Sequence, residues 1–135
     1  MSEHETVHRF YEALQARDLA TLSAVLDPDF AGQMTQGLPL ALGGPVTGRD
    51  AMLGVWGQVA KHYQIHPQPQ EYLDTGDGRI VVLGWYVGRG RTTGKPIRAR
   101  FVHVVRARDG KLIQLEQVTD TQLWADALES SEADR

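Results

Sequence analysis

Apolar residues recur at helical spacing near the start of the chain. Val7, Phe10, Tyr11 and Leu14 stand at i, i+3, i+4 and i+7, which puts all four on one helix face. Asp18 sits where an N-cap would open a second short helix bearing Leu19, Leu22, Val25 and Leu26. Asp27-Pro28-Asp29 ends that helix, because proline disfavours helical backbone in the residue before it. Phe30 to Met34 reads as a short strand, and the glycine- and proline-rich stretch from Gln36 to Gly48 as a loop or lid. A third helix begins near Asp50, with Met52, Val55, Trp56 and Val59 on one side.

From Tyr63 onward the period changes to two, predicting strands over Tyr63–Leu73, Arg79–Arg91, Ile97–Arg108 and Lys111–Asp120. Thr75-Gly76-Asp77-Gly78 and Arg108-Asp109-Gly110-Lys111 separate them, and Asp-Gly favours the positive φ of a tight hairpin turn. Thr121 to Leu128 reads as a closing helix, and residues 129–135 as a polar tail. Helices followed by a strand meander make an α+β fold, and the absence of repeats or linkers predicts one domain over 1–135 with its core in 5–128.

The strands have sides. One face of Ile97–Arg108 reads Ile97, Ala99, Phe101, His103 and Val105, mostly apolar, so it belongs inside and carries His103 with it. In the last strand Leu115, Gln117 and Thr119 share one side. Placing Arg98 and Arg100 opposite Glu116 on the outer face turns Gln117 inward. Trp85 then falls outside if Tyr86 is inside.

Composition narrows the function. The 135 residues carry a net charge of −3 and a pI near 5.9, which argues against nucleic acid as the main partner. With no cysteine the chain has no disulfide, Cys-ligated zinc or thiol chemistry. No apolar run approaches the roughly 18 residues of a membrane span, and the start is polar where a signal peptide would be apolar, so a cytoplasmic location is expected.

The runs Phe10-Tyr11-Glu12-Ala13-Leu14-Gln15-Ala16-Arg17-Asp18-Leu19, Thr47-Gly48-Arg49-Asp50-Ala51-Met52, Phe101-Val102-His103-Val104-Val105 and Asp109-Gly110-Lys111-Leu112-Ile113 resemble the nuclear-transport-factor-2-like superfamily over residues 5–128. The resemblance is nearest to its SnoaL-like polyketide-cyclase branch; ketosteroid isomerase, scytalone dehydratase and limonene epoxide hydrolase belong to the same superfamily. It implies a cone-shaped barrel, a strongly curved mixed or antiparallel sheet wrapped around three N-terminal helices, and a homodimer through the outer sheet face. The Arg and two Asp of limonene epoxide hydrolase correspond to Gly84, Tyr86 and Gln117, none charged, so that mechanism is not implied. The oxyanion-hole tyrosine of ketosteroid isomerase corresponds to Phe10, and its base falls near Gln33 or Met34. The acid/base aspartate of SnoaL-like cyclases corresponds to His103.

His103 is therefore the candidate catalytic group, since imidazole exchanges protons near neutral pH. Tyr86 and Gln117 are candidate donors to a substrate carbonyl or oxyanion. Phe10, Leu14, Met34, Trp56, Phe101, Leu115 and Thr119 are candidate pocket walls. Three other patterns read more simply. His4-Glu5-Thr6-Val7-His8 matches a zinc-protease helix pattern but lies at the chain start with no third ligand, so it reads as a solvated helix start. Gly88, Gly90 and Gly94 lie between antiparallel strands, where they suit a bend in the sheet better than a phosphate loop. Arg89, Arg91, Arg98, Arg100, Arg106 and Arg108 read as an outer sheet face.

The expected activity is a cofactor-independent enzyme of cyclase, isomerase or hydratase type. It would act without metal on a small apolar, carbonyl-bearing substrate resembling a polyketide or steroid. The alternative is a non-catalytic module of the same fold that binds a hydrophobic ligand or serves dimerisation. The feature that separates the two is whether His103 faces a solvent-connected cavity with a partner that fixes its tautomer.

Overall fold

The structure, a computed structural model, describes residues 2–129. Of the expected polar tail, positions 130–135 lie outside the described residues. Helix α1 (Glu3–Ala16) opens on Ser2, whose hydroxyl accepts from the Glu5 N–H at 3.1 Å. It buries Val7, Phe10 and Tyr11. Asp18 caps α2 (Leu19–Val25), accepting from the Thr21 N–H at 3.1 Å.

Strand β1 (Leu26–Met34) starts four residues earlier than the hydropathy pattern suggests, so Leu26 opens a strand instead of closing a helix. The Asp27-Pro28-Asp29 break is absorbed within it, as a turn in which the Asp27 carboxylate accepts from the Asp29 N–H at 2.8 Å. The expected loop from Gln36 to Gly48 holds a 3₁₀ turn (Pro39–Ala41) and a further strand, β2 (Gly44–Thr47), antiparallel to β1. Pro45 hides that strand from a period-two reading, and it is tolerated because β2 is an edge.

Helix α3 (Arg49–His62) leads into β3 (Tyr63–Asp74), β4 (Arg79–Gly90), β5 (Pro96–Arg108) and β6 (Lys111–Thr119), and α4 (Thr121–Asp126) closes the described chain. The six-stranded sheet has the order β2-β1-β6-β5-β4-β3, with β1 parallel to β6 and every other pair antiparallel. The fold is α+β, as expected, with a mixed sheet. The expected strand lies between α2 and α3, and β2 and β3 do not pair, so the cone is a curved sheet that is not closed. No described helix is long and apolar enough to cross a membrane.

Glycine makes the bend possible. The β3–β4 register slips between Pro69 and Glu71, beside Gly84. A Cβ at Gly84 would meet the Gln68 carbonyl oxygen, the Phe101 ring at 2.6 Å and the Pro69 Cα at 2.8 Å. Gly88 lets the Gln64 carbonyl approach equally closely, in keeping with the expected bend.

The faces of β5 fall as the alternation predicts: Ile97, Ala99, Phe101, His103 and Val105 are buried. On β6 the inward set is Leu115, Gln117 and Thr119. The expected pairing of Arg98 and Arg100 with Glu116 does not occur. Glu116 stands opposite Val104, and Arg98 and Arg100 instead flank Trp85, 3.7 and 5.1 Å from its ring centroid. At the start of α1, His4 binds the Asp74 carboxylate at 3.0 Å and His8 turns back to the His4 carbonyl at 2.7 Å. Among the described residues no group of three or more potential metal ligands gathers.

Replacing Gly84 by alanine should cost about 1–3 kcal/mol, because two of the three atoms its Cβ would meet are backbone. Urea unfolding of Gly84→Ala measures this, and an unchanged midpoint would show that the bend does not depend on that position.

Candidate functional site

The curved face encloses a cavity of about 250 Å³, bounded by α1, α2, α3, the β1–β2 connection and the sheet. Its wall is apolar over most of its extent. The polar side chains that reach it from the sheet are His103 on β5, Tyr86 on β4, Gln117 on β6 and, on β3, Tyr63 and the exposed His66. His103 and Gln117 are direct cross-strand partners, while Tyr86 reaches His103 diagonally, past Gly84. Because position 84 has no side chain, the Phe101 ring lies over it and stacks on the imidazole, with centroids 4.1 Å apart.

Both imidazole nitrogens are engaged. Nδ1 lies 2.6 Å from the Tyr11 hydroxyl, and Nε2 lies 2.6 Å from the Tyr86 hydroxyl. Gln117 Nε2 donates to the same Tyr86 oxygen at 2.8 Å. The orientation of that amide is fixed from the far side, where Oε1 accepts from the Thr35 N–H at 3.3 Å, a group that can only donate.

The proton count then decides the tautomer. Two phenols and one neutral imidazole carry three hydrogens for two hydrogen bonds, so one O–H is left over at one end of the chain. At the Tyr11 end it would be stranded, since that side chain is 2% exposed and has no acceptor besides Nδ1. An unmet buried hydroxyl costs about 1–3 kcal/mol. At the Tyr86 end the surplus hydrogen faces the cavity. Tyr11 therefore donates to Nδ1, Nε2–H donates to Tyr86, and Tyr86 presents its own O–H to whatever occupies the pocket.

Burial enforces this arrangement. It lowers the His103 pKa to about 3 and raises those of the Tyr11 and Tyr86 hydroxyls, so all three groups stay neutral. Among the described residues no carboxylate lines the cavity.

The structure brings His103, Tyr86 and Gln117 into one hydrogen-bonded cluster. Phe10, Leu14, Met34, Trp56 and Leu115 line the cavity beside it. Phe101 and Thr119 are buried but are not part of its wall. Phe101 backs the imidazole, and Thr119 links the Arg100 carbonyl (2.8 Å) to the Trp124 indole N–H (3.2 Å). Reading the sequence alone missed Tyr11 and Thr35. Tyr11 lies on the apolar stripe of α1, where a hydroxyl is indistinguishable from core aromatic packing, and Thr35 follows the end of a strand with no motif around it.

Comparison with known proteins agrees with this architecture. The SnoaL-like domain profile matches residues 7–115. An NTF2-like protein of unknown function from Burkholderia pseudomallei is 32% identical, with a TM-score of 0.85 over 96% of this chain and 100% of its own. TerC, solved after co-crystallisation with polyporic acid, is 25% identical, with a TM-score of 0.83 over 93% of this chain and 97% of its own. IdmH, a candidate polyketide cyclase from Streptomyces antibioticus, shares the fold at 22% identity, with a TM-score of 0.80 over 95% of this chain and 99% of its own. No curated protein matches significantly.

The lowered His103 pKa sets a pH dependence. Unfolded histidine titrates near about 6.5, so below that pH the unfolded chain binds a proton that the folded chain refuses. Stability from this group is complete above about 6.5 and is lost as pH falls toward about 3. His103→Gln, which cannot titrate, should lose less stability between about pH 7 and pH 4.5 in urea unfolding. Equal losses in both proteins would show that the imidazole is not held neutral.

Proposed function

We propose that this chain, which belongs to the SnoaL-like domain family, is a cofactor-independent enzyme of cyclase, isomerase or hydratase type for a small apolar ketone-bearing compound. The observation that carries the reading is the placing of the Tyr86 oxygen in the wall of an apolar cavity, 2.6 Å from His103 Nε2 and accepting from Gln117 Nε2 at 2.8 Å, which by the proton count leaves its O–H for a ligand. A carbonyl oxygen is the ligand group that such a donor suits. As negative charge develops on that oxygen during enolisation, the Tyr86 hydrogen bond strengthens. The Nε2–H of His103 and the Gln117 amide support the charge shared with the phenol. In this reading Tyr86 touches the substrate and His103 is a positioning residue that works through it. The α-proton leaves to His66, the imidazole of the lining that the two phenols do not engage. Aldol closure, isomerisation and dehydration all pass through this enolisation.

A second reading has its own observation. With both His103 nitrogens engaged and no carboxylate among the described lining residues, the cavity suits binding without turnover. The two separate in one assay, exchange of α-hydrogens of an aryl methyl ketone in D2O followed by NMR. The enzyme reading expects catalysed exchange that falls roughly 10²-fold in Tyr86→Phe. Exchange at the buffer rate, with Tyr86→Phe weakening only ketone affinity, would leave the binding module.

We further propose that the protein acts in the cytoplasm as a homodimer through the outer sheet face, where Trp85, Val102 and Val104 are partly covered and Val118 is 52% exposed. Sedimentation should give twice the 15.0 kDa chain mass, and Val118→Lys should shift it toward the monomer. A wild-type protein sedimenting as a monomer would remove this interface.

A further inference from the structure

Within the cavity wall, Arg17 stands apart. It is the only Lys, Arg, Asp or Glu among the described lining residues, at the α1–α2 corner beside Leu14 and Leu19, and it is exposed, as Leu19 is at 66%. Arg17 is thus an exposed residue of the lining, at the solvent side of the cavity, whereas Tyr86 and Gln117 lie in the buried wall. Among the described residues its side chain makes no hydrogen bond and no ion pair. The neighbouring carboxylate of Asp18 is already engaged by Thr21, at 2.6 Å from the hydroxyl.

Its backbone is unusual too. Arg17 ends α1 in the left-handed region, with φ 55° and ψ 39°, and its N–H closes the helix on the Ala13 and Leu14 carbonyls. Glycine occupies that conformation without strain, while any side chain costs stability there. The corner therefore carries a residue in a left-handed conformation whose side chain makes no polar contact with the described residues, at the edge of the apolar cavity.

We infer that the ligand is an amphiphilic anion: an apolar, ketone-bearing body inside the cavity and a carboxylate at the mouth, paired with Arg17. This rests on the reading of Tyr86 as the ketone donor and adds the charged end of the molecule. A planar guanidinium suits a carboxylate because two parallel N–H···O bonds can form. The partly exposed position limits the gain, so Arg17 sets preference while apolar burial supplies most of the affinity.

The test uses 4-oxo-4-phenylbutanoate and its methyl ester, which differ only at the charged end, titrated calorimetrically into the full chain. Wild type should bind the acid about fivefold tighter than the ester, with the difference shrinking as salt rises. Arg17→Gln and Arg17→Gly should bring the acid down to the affinity of the ester and leave the ester unchanged. Arg17→Gly also relieves the left-handed backbone, so its melting temperature should match or exceed that of wild type, which separates lost pairing from lost folding. Equal binding of acid and ester by wild type, or an acid preference that survives both substitutions, overturns the inference while ester binding still supports the cavity reading. If neither compound binds, both the cavity reading and this inference fall.

Discussion

A neutral imidazole held dry between two phenols is the constraint on which the centre of this molecule depends. Burying a charge at position 103 would require a carboxylate beside it, and none lines the cavity among the described residues. The ring therefore stays neutral and needs one donor and one acceptor at fixed places. Tyr11 comes from α1 and Tyr86 from β4, so satisfying His103 ties the first helix to the middle of the sheet. The Gln117 amide and Thr35 extend the chain of bonds to β6 and the end of β1.

The same network explains why the sheet is bent where it is. Phe101 can stack on His103 only because Gly84 leaves its space empty, and that glycine sits against the β3 bulge. At the other side of the cavity, Tyr63 donates to the Trp124 carbonyl at 2.5 Å, and the Trp124 indole N–H reaches Thr119. This pins α4 across the sheet, and Tyr63 and Trp124 both line the cavity. Curvature, aromatic packing and hydrogen bonding are thus three aspects of one arrangement.

Chemically, the result is a donor site in an apolar hollow. Proteins sharing a fold differ in what their pockets can do, because function depends on the particular side chains that reach the hollow. Here those side chains offer hydrogen-bond donation from Tyr86, shape from aliphatic and aromatic walls, and a cation at the rim.

Much of this was legible in the sequence. The stripe of α1, the Asp18 cap, the long strands and the inward face of β5 follow from period and turn chemistry, which are local properties. The inward position of His103 follows too, because four apolar neighbours at i±2 and i±4 or i±6 leave it nowhere else to go. The resemblance in four short runs pointed to the family. The start of β1 and the existence of β2 did not show, since prolines and glycines break the alternation, and only pairing with neighbours holds those segments extended. Tyr11 and Thr35 were equally silent: each is ordinary in its own element and acquires a role only when β5 and β6 are brought against it. The sequence by itself determined which faces are buried and which titratable group goes inside, because alternation and helical period are written in neighbouring residues. Tertiary structure alone decided which proton points into the cavity, because that depends on counting donors and acceptors contributed by residues up to 92 positions apart.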